Sequence, residues 1–452
     1  MISTFTLFAA LLFTGLSDSQ VLQREANGAA SPIVSGASDT AGRLFSRVDN
    51  GRWHELPPVS SGSWKTKLPP LAAGGPYTIQ IRFDDGAGKT VGEKSFRDIY
   101  VGDLWVLAGQ SNMVGRARVV PGHATDPRVR MMALNGVWQV ATHPLHDESL
   151  PPGVTRPGTG PGLDFALAMI RQSGVPIGLL PCAKGGTSMA QWSPDLAGKD
   201  ASSLYQRLID RVQLTGGNIT GVLWYQGEND TGPKPAAMYQ AKFQEFVTRL
   251  RQDLKRPDLP FYYAQLARYI NKPTEFYGDW NRVQEAQRVS ESEIPKVRMV
   301  ATVDLDMRDL IHISEDAQTR LGRRFANAAQ GRGGPRFVDA RWTSHNELRV
   351  RLTGVNGALQ TNHGRIFGFD ATTPDGRRLP LFFRVAVDAA TGEIVLSANS
   401  VRETPEQIDL WYGHGHDPIC NLTDSEDLAL PAFGPVRLPP QPPAPVRVRK
   451  QP

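Results

Sequence analysis

Along the chain the spacing of apolar residues changes character twice. Between about Ile33 and Phe96, short alternating runs such as Thr78–Phe83 (TIQIRF) are separated by the turn clusters Asp49-Asn50-Gly51, Ser61-Gly62 and Asp84-Asp85-Gly86. Successive strand side chains point to opposite faces, so this texture predicts a small β-rich unit. From Asp98 to about Gln330 the runs become continuously apolar and alternate with longer stretches of helical period. Strands are predicted at Leu104–Ala108, Ile177–Pro181, Val222–Tyr225, Phe261–Leu266 and Val297–Val303. Helices are predicted between and after them, at Leu163–Gln172, Leu204–Gln213, Ala237–Leu254, Trp280–Ser290 and Ala317–Ala329. This rhythm predicts an α/β fold with a doubly wound parallel sheet, whose ligands bind beyond the carboxyl ends of the strands. After Gly334 the β texture returns, with strands at Glu347–Leu352 and Leu381–Val387 and a turn at Thr391-Gly392. The expected organisation is an N-terminal β-rich domain over 1–97, an α/β domain over 98–332, a C-terminal β-rich domain over 333–438 and a disordered, proline-rich basic tail over 439–452.

Composition narrows the class. The 452 residues are 40% apolar and 21% charged, enough for more than one packed core. The 44 glycines and 35 prolines indicate a loop-rich fold without reaching low-complexity levels. No apolar run reaches about 18 residues, so no membrane span is expected. The formal charge is +5, and more than half of it comes from Arg447, Arg449 and Lys450 in the tail, which is no footprint for nucleic acid. Cys182 and Cys420 lie far apart in sequence and outside any C-x-x-C spacing; they read as buried thiols, with a disulfide between them left open. Phe5–Leu16 has the length of a signal peptide's apolar core, yet no Lys or Arg precedes it. It reads either as part of a signal for secretion or periplasmic export, or as the first strand.

Three of the predicted strand ends run into polar clusters: Gly109-Gln110-Ser111-Asn112-Met113, Gly185-Gly186-Thr187 and Gln226-Gly227-Glu228-Asn229-Asp230. A serine just past a buried strand, beside a glycine that permits a tight turn, can expose its hydroxyl as a nucleophile. Alone, Ser111 would be read as a turn hydroxyl. What changes this is Asp309-Leu310-Ile311-His312, which follows the fifth predicted strand and so returns to the same edge of the sheet. His312 can take the serine proton while Asp309, three residues earlier, fixes its tautomer; Asp304 and Asp306 compete for that role without the three-residue spacing. Backbone N–H groups at Gly185 and Gly186, and a side-chain amide from Gln226 or Asn229, suit an oxyanion hole. Glu228 could orient one of these amides or contact substrate, or equally be a buried carboxylate capping a helix. Arg116 could meet a sugar carboxylate or hydroxyl, or equally form an ion pair within the fold, and Trp192 and Trp224 could stack on sugar rings, although packing is the ordinary role of an aromatic beside a strand. The clusters His143-Pro144-Leu145-His146-Asp147-Glu148 and Gly413-His414-Gly415-His416-Asp417 gather metal-type side chains on irregular loops without a helical H-E-x-x-H frame. They are not read as metal sites, and His143 and His146 could instead sit at a pocket rim.

In combination, GQSNM at 109–113, PCAKGGTSMAQW at 181–192, WYQGEND at 224–230 and DLIH at 309–312 resemble the blocks of the SGNH hydrolases. More narrowly they resemble the sialate O-acetylesterase and acetylxylan esterase group, carbohydrate esterase family 6. LFTGLSDSQVLQRE near the start and the segment from Trp411 through Pro418-Ile419-Cys420-Asn421-Leu422 are similar to the flanks of that group. The resemblance implies Ser111 as nucleophile, His312 as base and then acid, Asp309 as its orienting carboxylate, and the Ser111 N–H with Gly185 or Gly186 in the oxyanion hole. Members usually read WYQGE followed by Ser and Asp; Asn229 departs from this and leaves the donor open between Gln226 and Asn229. The implied function is a serine esterase that removes acetyl groups from an acetylated carbohydrate through an acetyl-serine intermediate, calling for no cofactor and no metal. The competing class is a catalytically inactive carbohydrate-binding protein on an esterase-derived fold.

Overall fold

The computed structural model describes residues 12–147, 156–271, 277–361, 364–399 and 407–442. Its centre is a seven-strand path built from β1 (Thr90–Gly109), β2 (Val129–Met132), β3 (Trp138–Val140), β4 (Ile177–Pro181), β5 (Gly221–Tyr225), β6 (Phe261–Ala264) and β7 (Val297–Val300), in the order β3-β2-β4-β1-β5-β6-β7. All neighbours on this path are parallel except β2 and β3. Every residue of β4 and β5 is buried, as is the second half of β1, which is why these strands read as uninterrupted apolar runs. The helices are α1 (Ser111–Val114), α2 (Pro161–Ser173), α3 (Leu204–Leu214), α4 (Pro233–Asp253), α5 (Tyr277–Glu293) and α6 (Glu315–Ala329). In the packing, α2 pairs with α6 and α4 with α5.

The chain winds from β1 outward to β3, back through β4, then crosses to β5, β6 and β7 on the other side. The strand order therefore reverses at β1, and the crevice beyond its carboxyl end is the switch point at which such sheets bind ligands. In register, Leu107 of β1 lies beside Pro181 and Gly109 beside Tyr225, so the loops after β1, β4 and β5 leave the sheet side by side.

Among the described residues the apolar side chains gather into three cores. The largest belongs to the central sheet and its helices; an N-terminal one runs from Leu16 to Val101 and a C-terminal one from Val303 to Leu438. The first half of β1 pairs antiparallel with Gly74–Asp85, which pairs with Gly42–Val48, so one 20-residue strand belongs to both the N-terminal and the central layers. The C-terminal part holds two four-stranded antiparallel sheets.

The predicted helices and central strands are present with ends shifted by a few residues. Two corrections concern the sheet. It is mixed at its edge, because the hairpin of β2 and β3, turning at Asn135-Gly136, escaped the sequence reading; its strands span only four and three residues. β1 begins far upstream of Leu104, through a charged alternating stretch that reads as a separate element. Leu12–Thr14 form a strand against Ile33–Ser38, while residues 5–11 of the apolar N-terminal run lie outside the described residues. Of the tail, 443–452 also lie outside them, but Gln441 is buried and its amide donates to the Asn399 carbonyl at 3.2 Å, so packed structure continues beyond 438. Both cysteines are free thiols, which removes the disulfide.

Candidate active site

Gly109 closes β1 at φ +122°, and a Cβ there would stand 2.2 Å from the Tyr225 carbonyl oxygen, so only glycine lets the chain turn between its two parallel neighbours. The turn delivers Ser111 to the start of α1, where early backbone N–H groups have no intrahelical acceptor. The Ser111 Oγ lies 3.0 Å from Nε2 of His312, and the His312 Nδ1 lies 2.9 Å from Oδ2 of Asp309.

Asp309 builds its own loop as well as holding the ring. Its Oδ1 accepts from the backbone N–H of Ile311 at 3.0 Å and of His312 at 2.8 Å. Burial pushes the carboxyl up, but these N–H donors and the His312 ring more than offset it, so its pKa falls below the usual aspartate value. Asp304 is committed elsewhere, to Arg324 and Arg320 on α6, and so does not compete for His312.

Asn112 had no role in the sequence reading, yet it ties three loops together. Its Nδ2 donates to Glu228 Oε1 at 2.7 Å and to the Ile311 carbonyl at 3.1 Å, and its Oδ1 accepts from the Ile313 N–H at 3.1 Å. Gln110, also without an assigned role, donates from Nε2 to Oδ1 of Asn229 at 3.1 Å. The only signal for either residue was its place inside GQSNM; neither has a partner at fixed sequence spacing.

The two candidate amides separate. Gln226 is fully buried and its Nε2 faces Asp230 Oδ2 at 2.5 Å, the Thr187 carbonyl at 3.1 Å and Gln110 Oε1 at 3.3 Å. Its donors are spent inside the protein. Asn229 is exposed, and the Gln110 bond to its Oδ1 turns its NH2 the other way. Gly185 is half-buried and Gly186 exposed in the turn after β4, which is anchored by the Lys184 N–H on the Gly109 carbonyl at 3.0 Å.

Glu228 is buried against Asn112, and burial pushes its carboxyl up to about 7, against the opposing Asn112 hydrogen bond. It faces inward rather than toward a substrate. Trp192 is likewise no sugar platform: it is fully buried, its indole N–H donates to Thr187 Oγ1 at 3.0 Å, and it packs edge-on to Trp224 with ring centres 5.1 Å apart. Trp224 is equally buried. Arg116 is buried too, and its carbonyl accepts from Arg308 beside the histidine loop. The histidines of the C-terminal cluster are structural: His416 Nδ1 donates to the Tyr269 carbonyl at 2.5 Å, and His414 packs on Trp411. Glu148 of the other cluster lies outside the described residues.

A serine, histidine and aspartate in this relay, beside a glycine turn and an exposed amide, is the geometry of acyl transfer. The family described as carbohydrate esterase, sialic acid-specific acetylesterase, matches residues 101–331. The chain belongs to this family. It is a carboxylic ester hydrolase of the carbohydrate esterase class. The "Probable carbohydrate esterase" of Arabidopsis thaliana is 31% identical over 251 residues, covering 50% of this chain and 89% of that protein. The sialate O-acetylesterase of Homo sapiens is 22% identical over 351 residues, 65% of each chain. Among solved structures, a carbohydrate acetylesterase from Xanthomonas citri superposes with a TM-score of 0.72 at 25% identity, covering 94% of this esterase and 98% of its own chain. That likeness runs through both β-rich flanks as well as the α/β core.

Proposed function

We propose that this carbohydrate esterase hydrolyses acetyl esters on sugar hydroxyls through an acetyl-Ser111 intermediate. The observation that carries the reading is the unbroken path from Ser111 Oγ through His312 to Asp309, with contacts of 3.0 and 2.9 Å. Ser111 Oγ attacks the acetyl carbonyl carbon as its proton passes to His312 Nε2. The tetrahedral oxyanion is held by the Ser111 backbone N–H, the N–H of Gly185 or Gly186, and the Asn229 side-chain amide. Collapse breaks the bond to the sugar oxygen, which takes the proton from His312, leaving free sugar and acetyl-Ser111. A water then gives a proton to His312 and attacks the acetyl group; acetate leaves and Ser111 Oγ recovers the proton. Asp309 stays ionised throughout, holding His312 in the tautomer with its proton on Nδ1 and stabilising the transient imidazolium.

In this reading the chemistry resides in residues 98–332, framed by β-rich units at 1–97 and 333–438. The test is acetate release from O-acetylated sialic acids, acetylated xylan oligomers and p-nitrophenyl acetate, comparing the parent with Ser111→Ala. Loss of turnover by at least about a thousandfold is expected, since residual catalysis without a triad member is small. Unchanged turnover in the variant, or a folded parent inert on every substrate, would sink the proposal. The preferred natural acetate names the sugar.

A further inference from the structure

We propose that His123, His143 and Asp164 form a binding site for one divalent transition-metal cation of the zinc class, separate from the esterase triad. The three residues come from distant parts of the chain: His123 from the loop between α1 and β2, His143 from the segment after β3, and Asp164 from the first turn of α2. One ligand atom from each lies within 4.8 Å of the other two. The His123 Nε2 and Asp164 Oδ2 are 3.3 Å apart. Tetrahedral zinc, with bonds of about 2.0–2.2 Å to nitrogen and oxygen, places neighbouring donor atoms roughly 3.3–3.6 Å apart, so this pair already has the required spacing.

A plain hydrogen-bonded cluster does not account for the arrangement. Despite the 3.3 Å separation, His123 Nε2 makes no hydrogen bond to the Asp164 carboxylate. Both ring nitrogens of His143 are buried and have no hydrogen-bond partner among the described residues, and the two imidazoles meet edge to face with centres 4.8 Å apart. Leaving a buried polar atom unpaired is unfavourable, and a cation coordinated by one of these nitrogens would relieve it. Thr319 Oγ1 of α6 donates to Asp164 Oδ2 at 3.1 Å, the kind of outer contact that orients a ligating carboxylate. The His123 side chain keeps 19% of its surface accessible, so the cluster lies close beneath the surface. Neither motif spacing nor local sequence predicts this set, because His123 and Asp164 come from parts of the chain remote from His143. The cation would pin the two loops to the first turn of α2.

The test uses the full chain stripped with chelator, dialysed and titrated with Zn2+ or Co2+, with bound metal measured by mass spectrometry and Co2+ by its visible d–d absorption. One equivalent is expected in the parent and in Ser111→Ala, with tetrahedral cobalt bands in both. In His123→Gln, His143→Gln and Asp164→Asn binding should fall below a tenth of an equivalent. Zinc should raise the melting temperature of the parent and of Ser111→Ala, and leave these three variants unmoved, because a ligand that binds only the folded state stabilises it by mass action. The variants' circular dichroism distinguishes a lost site from a lost fold, and if one of them unfolds, His143→Gln with the parent's spectrum suffices. Parent protein that holds no stoichiometric metal, or folded variants that bind it as the parent does, would overturn the proposal.

Discussion

Asn112 is fully buried, and its Nδ2 and Oδ1 are committed to Glu228, Ile311 and Ile313. Removing its amide leaves the Ile313 N–H and the Ile311 carbonyl without this partner, so Asn112→Ala should cost about 1–3 kcal/mol in denaturant unfolding and lower kcat as the histidine loop loosens. An unchanged midpoint and rate would show that the loop is held elsewhere. Asp309→Asn keeps an oxygen for the Ile311 and His312 N–H groups but no longer holds the required tautomer. It should lower kcat by roughly 10³–10⁴-fold with little loss of melting temperature, measured on p-nitrophenyl acetate. Glu228 yields a pH signature. Burial raises its folded pKa from 4.5 to about 7, so between those values the folded state binds more protons than the unfolded state and stability falls as pH rises. Glu228→Gln removes that proton exchange, and its unfolding midpoint should decline less than the parent's between pH 5 and 8; parallel curves would contradict the raised pKa.

At the scale of elements, the turn that presents Ser111 depends on how closely β1 approaches β5. Gly109→Ala would bring a Cβ against the Tyr225 carbonyl and force a positive φ on alanine. The expected loss is about 3 kcal/mol or more, read as a lower yield of folded protein and an earlier thermal transition. A variant with the parent's stability would mean that β1 can slide on β5. The central strands were legible because strands buried on both faces read as continuous apolar runs, and the helices because one stripe of each is apolar. The first half of β1 was not, since Thr90–Phe96 alternates charge with apolar residues and its role depends on pairing with Gly74–Asp85. The hairpin of β2 and β3 was missed because so short a strand derives its stability from its neighbours rather than from its own propensity.

Across the whole molecule the C-terminal part reaches the loop that carries Asp309 and His312. The Tyr269 N–H donates to the His416 carbonyl at 2.6 Å, and the next residue, Ile270, donates to the carbonyl of Leu310 at 2.8 Å, between Asp309 and His312. Arg268 adds an ion pair to Asp417 at 3.0 Å. Farther in, the Gln265 amide bonds the carbonyl and N–H of Ala432, joining the end of β6 to the last C-terminal strand region. His416→Ala should therefore lower kcat by about tenfold or more with little change in KM, since small displacements of a catalytic group cost rate without removing substrate contacts. If kcat and KM both stay at parental values, the C-terminal brace does not tune the triad.

Legible along the chain were the order of apolar runs, the turn residues after them and the three-residue spacing of Asp309 and His312. Each is a local property, set by backbone periodicity and by the reach of one side chain to a near neighbour. That was enough to bring Ser111, His312 and Asp309 to one edge of a parallel sheet. Folding in three dimensions, not the chain alone, sets that Gln226 turns inward while Asn229 faces out, that Trp192 is packing, that Asn112 stitches the loops, and that His143 meets His123 and Asp164. Those outcomes depend on which groups from remote segments desolvate one another, and no spacing along a single chain encodes that competition.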